Sequence, residues 1–146
     1  MNVEIFDGEP SELADAFKQL VPQLSKSNPG PPVDFVETML GSDAITQFVA
    51  RDDDGRIVGV ATLVIFPIPT AWRAWIEDVI VDESLNGRGI GSALTLAMVE
   101  HSRAAGCKTV DLTSRPKREA ANHMYRKLGF VERDTHVYRF ALKAGS

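Results

Sequence analysis

Three glycines, Gly87, Gly89 and Gly91, fall within five residues of the stretch NGRGIGSAL (Asn86–Leu94), and the residues after them read as a helix. Few uses fit such a cluster: a tight turn, a helix cap, or backbone that must approach a ligand closely. A glycine-rich loop leading from a strand into a helix N-terminus is a ready anion site. The first-turn N–H groups lack intrahelical acceptors, the helix dipole adds partial positive charge, and phosphate oxygens suit both. Glycine also omits the Cβ that would hold a phosphate away. From spacing alone the loop is either such a cradle or a tight turn with glycine caps.

Two common phosphate loops fit poorly. The nucleoside-triphosphate loop needs a Lys-Ser or Lys-Thr pair, and none follows these glycines. A dinucleotide fingerprint can be forced onto Gly87, Gly89 and Ser92, with Asp111 as the ribose acid. That fold, however, should begin with this unit and repeat it, and Asp111 is expected inside its strand. Other reactive residue types are bland. His101, His123 and His136 show no metal-ligand spacing, so no metal is expected. Cys107 lacks a His or Asn framework and reads as a buried structural thiol. The acids of DDDG (Asp52–Gly55) read as a turn, and Trp72 and Trp75 as packing groups. Arg115, Lys117 and Arg118 form a basic loop that meets phosphates or is simply solvated.

These residues need elements to position them. Val3–Phe6 suits an opening strand, and Leu13, Phe17, Leu20 and Leu24 recur at helical spacing. SKSNPGPP is a loop, since no helix crosses Asn28–Pro32, and VDFVETML is a second short helix. TQFVAR and IVGVATLVIF flank DDDG as a hairpin. FPIPTAW interrupts the next strand with two prolines, and AWIEDVIV resumes it. A long helix runs from Gly89 to Ala105, followed by a TVDLT strand. The helix REAANHMYRKL stops at Gly129, and FVER and VYRFAL are expected as closing strands. The order gives one α+β domain over residues 1–146, with a mixed, mostly antiparallel sheet of six to seven strands and four helices.

The bulk properties bound the partners. A chain of 146 residues with net charge −4 gives a nucleic-acid partner no support. The N-terminus lacks the apolar core of a signal peptide, and no apolar run approaches the roughly 20 residues that span a bilayer. One cysteine fits a reducing compartment. A cytoplasmic protein without membrane attachment is expected.

The segment after the apolar run VIV, Asn86-Gly87-Arg88-Gly89-Ile90-Gly91, resembles the acetyl-CoA motif Q/R-x-x-G-x-G/A of the GCN5-related N-acetyltransferases. AANHMYRKLGF resembles that family's later segment, a small-residue helix leading to Tyr-x-x-x-Gly-Phe. The two occur in the family's order and at a usual separation. The likeness is good from Ile76 to Leu142 and rests on element order before that. Asn86 departs from the usual Arg or Gln, which bears on side-chain help at that position and leaves the backbone cradle intact.

The resemblance implies direct acetyl transfer from acetyl-CoA to an amine in a ternary complex. It assigns the pyrophosphate to backbone N–H groups of the Gly87, Arg88, Gly89, Ile90, Gly91 and Ser92 loop. Arg88 either adds charge or is a solvated arginine, and Ser92 either bonds a phosphate oxygen or only fills the first turn. Backbone groups of Val79, Ile80 and Val81 would pair with the pantetheine arm like another strand and polarise the thioester. Tyr125 is implied as the acid for the departing sulfur, where spacing alone reads it as a helix core aromatic. Asn122 matches a frequent contact with the co-substrate. Glu77 is the candidate base, sharing a face with Val79 and Val81 if no bulge intervenes, whereas a bulge would substitute Asp78. The acceptor is a small-molecule amine or a protein amino group. Homodimers are common in the family. The rival expectation is a non-catalytic module that binds acyl-CoA as a sensor.

Overall fold

The turn after the first long strand shows how local chemistry sets the fold. Asp52 Oδ1 accepts the N–H groups of Asp54 and Arg56 at 3.0 and 2.9 Å, and Gly55 takes a left-handed φ of +81°. These are the requirements of a tight hairpin, and they turn the chain back on itself. The computed structural model describes residues 1–143. In chain order the elements are β1 (Asn2–Ile5), α1 (Pro10–Leu24), α2 (Val33–Leu40), β2 (Ile45–Arg51), β3 (Ile57–Ile68) and β4 (Ala71–Val81). A short 3₁₀ turn (Glu83–Leu85) leads to α3 (Ile90–Ala104), β5 (Thr109–Asp111) and α4 (Glu119–Lys127).

Two compact units result. The first, Met1–Thr113, holds the sheet and α1–α3; the second begins at Ser114 and holds α4. The sheet order is β1-β2-β3-β4-β5, antiparallel throughout except for the parallel pair β4–β5. One face carries Val49, Val60 and Ile80 against Leu13, Phe17 and Leu20 of α1 and Val36 of α2. The other face carries α3: the Phe48 ring meets His101 edge-on, and a Cβ at Gly59 would come within 3.2 Å of Ile90 and Leu94. Arg51 ties α1 to the strands, donating to both carboxylate oxygens of Glu12 (2.7 and 3.2 Å) and to Glu4 at 3.2 Å. Among the described residues no helix is long and apolar enough to cross a membrane.

Four helices, the DDDG hairpin and the mixed sheet agree with the sequence reading. The strand count does not: among the described residues the sheet has five strands rather than six or seven. FVER (130–133) and VYRFAL (137–142) form no strand, and Val131, Tyr138, Phe140 and Leu142 are largely exposed. Alternating residues make a strand only where another strand supplies hydrogen-bond partners. Smaller differences follow tertiary context. Leu24 at the end of α1 is exposed, Trp72 is half-exposed, and β3 runs through Pro67 before the turn at Pro69–Thr70.

Candidate active site

β4 and β5 are paired only from Arg73–Thr109 to Trp75–Asp111. β4 then continues from Ile76 to Val81 with β3 on one side and, among the described residues, no strand on the other. Half of its backbone edge is therefore open to an extended ligand. Val79, Ile80 and Val81 lie on this open stretch.

The stretch is irregular at its centre. Thr62 pairs with Glu77 and Val60 with Ile80, so β4 has one more residue than β3 between the two pairs. Asp78 sits in that bulge with φ +49°, a left-handed conformation that Asp tolerates better than most side chains. The bulge overturns the simple alternation. Glu77 shares its face with Ile80, while Val81, opposite Gly59, belongs to the face covered by α3. Glu77, Val79 and Val81 therefore do not share one face. Glu77 accepts the Trp75 indole N–H at 2.5 Å.

Past Val81 the chain enters the glycine loop. Asp82 accepts from the Ser84 N–H at 3.0 Å and caps the 3₁₀ turn. Gly87 and Gly89 follow with φ of +81° and +79°, which side chains rarely adopt. A Cβ at either would meet no protein atom within 4 Å. Packing thus does not require these glycines; left-handed backbone does, and it leaves open space above the loop. Gly89 precedes α3, and no side chain caps this end. The first intrahelical bond runs from the Ala93 N–H to the Gly89 carbonyl at 3.0 Å. The N–H groups of Ile90, Gly91 and Ser92 therefore have no intrahelical acceptor. An anion that fits this cradle would meet those groups and the positive end of the helix dipole. Arg88 is exposed beside them.

On the face opposite α3 a cleft of about 360 Å³ opens over the bulge. Asp78, Thr62 and Ile80 form part of its lining, with Phe17, Asn28 and Phe35 from α1, the following loop and α2. Sequence reasoning missed this cleft. The rigid NPGPP stretch and the adjacent acids Glu77-Asp78 were its signals.

In the second unit, Gly129 ends α4 with φ +105°, and Phe130 returns its N–H to the Tyr125 carbonyl at 3.0 Å. The Phe130 ring meets Tyr125 edge-on at 5.6 Å. Tyr125 is partly buried; that burial raises its pKa above the usual phenol value near 10, and nearby Arg118 opposes the shift. The phenol is neutral at physiological pH. Asn122 donates its side-chain amide to the Arg115 carbonyl at 2.9 Å, which uses one of its two amide protons and braces the loop before α4.

Other residues fall outside this site. Asp111 ends β5, rather than lying inside it as expected, but it is paired with Arg73 and so is not free to serve a ribose. Cys107 is half-buried, and burial raises its thiol pKa, which suits a structural role.

Residues 13–130 match the Acetyltransferase (GNAT) family. Glucosamine 6-phosphate N-acetyltransferase 1 of Oryza sativa subsp. japonica is 29% identical over 147 residues, covering 90% of this chain and 87% of that protein. A crystal structure of a Trypanosoma brucei acetyltransferase superposes with a TM-score of 0.77 at 31% identity, over 96% of this chain and all of that one. A putative acetyltransferase from Agrobacterium tumefaciens superposes with a TM-score of 0.85 at 26% identity, over 97% of this chain and 100% of that chain. With a family match that runs from Leu13 in α1 to Phe130 beyond α4, through the open strand edge and the glycine loop, the chain belongs to the acetyltransferase (GNAT) family.

Proposed function

We propose that this acetyltransferase moves the acetyl group of acetyl-CoA to a primary amine by direct attack in a ternary complex. Acetyl-CoA supplies the activated acetyl thioester. The observation that carries the reading is the continuity of open β4 edge, left-handed glycine loop and uncapped α3 N-terminus along one stretch of chain, Ile76 to Ser92. Backbone N–H groups of Arg88 to Ser92 hold the pyrophosphate, with Gly87 and Gly89 shaping the turn. The open edge of β4 at Val79–Val81 orients the pantetheine arm, and an N–H there stabilises the negative charge that develops on the carbonyl oxygen.

An amine with a pKa near 10 is mostly charged at neutral pH and attacks only when neutral. Of the two acids on β4, Asp78 lines the cleft, whereas Glu77 is outside that lining and accepts from Trp75. The bulge thus favours Asp78, directly or through an ordered water, as the proton acceptor. Glu77 then acts one step away, setting the charge around the bulge. Tyr125, a neutral phenol, is the family-implied donor to the departing sulfur. Asn122 fits a supporting role, holding the loop that precedes α4.

The test is initial-rate kinetics of CoA release with a panel of primary amines. Amine-stimulated release with intersecting double-reciprocal lines is expected. Parallel lines would replace direct attack with a covalent acetyl-enzyme. Tight acetyl-CoA binding with no amine-stimulated release would leave only a sensor.

A further inference from the structure

The polar atoms at the floor of the cleft point one way. Gln47 is 2% exposed, and its Nε2 donates to the Phe48 and Ala61 carbonyls at 3.2 and 3.1 Å. Both amide protons are committed, so Gln47 Oε1 faces Thr62 as an acceptor. Thr62 Oγ1 donates to it at 2.8 Å, and this uses its only proton. Toward the cleft, Thr62 therefore offers lone pairs. Asp78, beside it in the lining, offers a carboxylate. The floor accepts hydrogen bonds and carries negative charge; it is complementary to an ammonium or amine.

The walls supply little else that is polar. Phe17, Val21, Pro31, Pro32, Phe35 and Met39 surround the floor, and no Lys or Arg is among the lining residues. Pro31 and Pro32 have no N–H, and the Gly30 N–H is taken by Asn28 Oδ1 at 2.9 Å. Among the described residues of the lining, Asn28 retains its amide protons as the only side-chain donors left. The nearby start of α2 carries Asp34, whose carboxylate accepts the Phe35 N–H at 3.0 Å and places negative charge there. A phosphorylated amino sugar would thus meet a carboxylate and few donors, with no Lys or Arg in the lining itself. An apolar body would meet aromatic and aliphatic walls in a space of ordinary small-ligand size.

We infer that the acceptor is a primary amine on an apolar body, of the arylalkylamine or branched alkylamine class, with its nitrogen at Asp78 and Thr62. This rests on the acetyl-transfer reading above and names the substrate class of the same site. It differs from the phosphorylated amino sugar in the name of the rice relative.

The experiment compares 2-phenylethylamine with glucosamine 6-phosphate, by CoA release and by calorimetric titration of each amine into the protein loaded with CoA. The wild type should show kcat/KM at least about tenfold higher for phenylethylamine. Phe35 is 56% exposed, so Phe35→Lys should fold; it should raise KM for phenylethylamine at least about tenfold with kcat little changed. Asp78→Asn should weaken phenylethylamine binding in the titration. Preference for glucosamine 6-phosphate, or indifference to Phe35→Lys, would overturn the apolar acceptor while leaving acetyl transfer standing. Phenylethylamine that binds in a Phe35- and Asp78-dependent way without CoA release would keep the cleft's ligand class and remove the transfer reading. Neither binding nor turnover of phenylethylamine would overturn the inference.

Discussion

At the scale of single residues, the proposed mechanism rests on Tyr125 and, separately, on the bulged Asp78. A phenol is a weak acid beside a thiol of reference pKa near 8.5, so in the proposed mechanism Tyr125 would serve the sulfur mainly through a good hydrogen bond. Tyr125→Phe keeps the ring contact with Phe130 and should fold and bind acetyl-CoA normally. Its turnover should fall by about 10²–10⁴-fold if chemistry limits the rate, as read by steady-state and single-turnover assays. A wild-type single-turnover rate would return Tyr125 to packing alone. The raised phenol pKa has a second consequence. Above the unfolded value near 10 the folded chain binds more protons than the unfolded one, so stability falls as pH rises. That contribution is complete below pH ~10 and is lost as pH climbs through the raised folded value. Urea unfolding of the wild type should therefore weaken more steeply on the alkaline side than that of Tyr125→Phe.

At the scale of elements, the strand–loop–helix passage from β4 to α3 separates binding from stability. Gly89 holds φ +79° with open space where a Cβ would stand. Gly89→Val forces a β-branched residue into a left-handed turn and fills the cradle. Acetyl-CoA should bind at least about tenfold more weakly, about 1.4 kcal/mol, by calorimetry on the folded variant. Gly59 makes the contrast. Its Cβ would press on Ile90 and Leu94 at 3.2 Å, beneath α3 rather than in the cradle. Gly59→Val should lower the melting temperature through overpacking and leave the affinity of the folded protein close to wild type. Equal affinity losses in both variants would mean that the loop acts only through the stability of α3.

At the scale of the whole molecule, a ligand that binds only the folded chain stabilises it by mass action. Acetyl-CoA at 100 times its dissociation constant should add about 2.7 kcal/mol, a shift of several degrees in a calorimetric scan. The shift should appear on the transition that unfolds β4 and α3. No shift at saturating acetyl-CoA would remove the loop from ligand binding. What the sequence by itself determined is local in origin. The DDDG hairpin, the stop at Gly129 and the left-handed loop at Gly87 and Gly89 follow from the φ freedom of glycine and the turn chemistry of Asp. The helices follow from apolar spacing, and the candidate roles of Tyr125 and the glycine loop from motif resemblance. Tertiary structure decided what depends on distant partners. The bulge at Asp78 appears only in the register of β4 against β3, because an extra residue leaves no mark in a strand's own composition. The cleft gathers Phe17, Asn28, Phe35, Thr62 and Asp78 from five separate stretches of chain. The polarity of its floor depends on Gln47, which is buried on another strand. The alternating residues of VYRFAL (137–142) pattern like a strand, yet a strand exists only where a neighbouring backbone completes its hydrogen bonds.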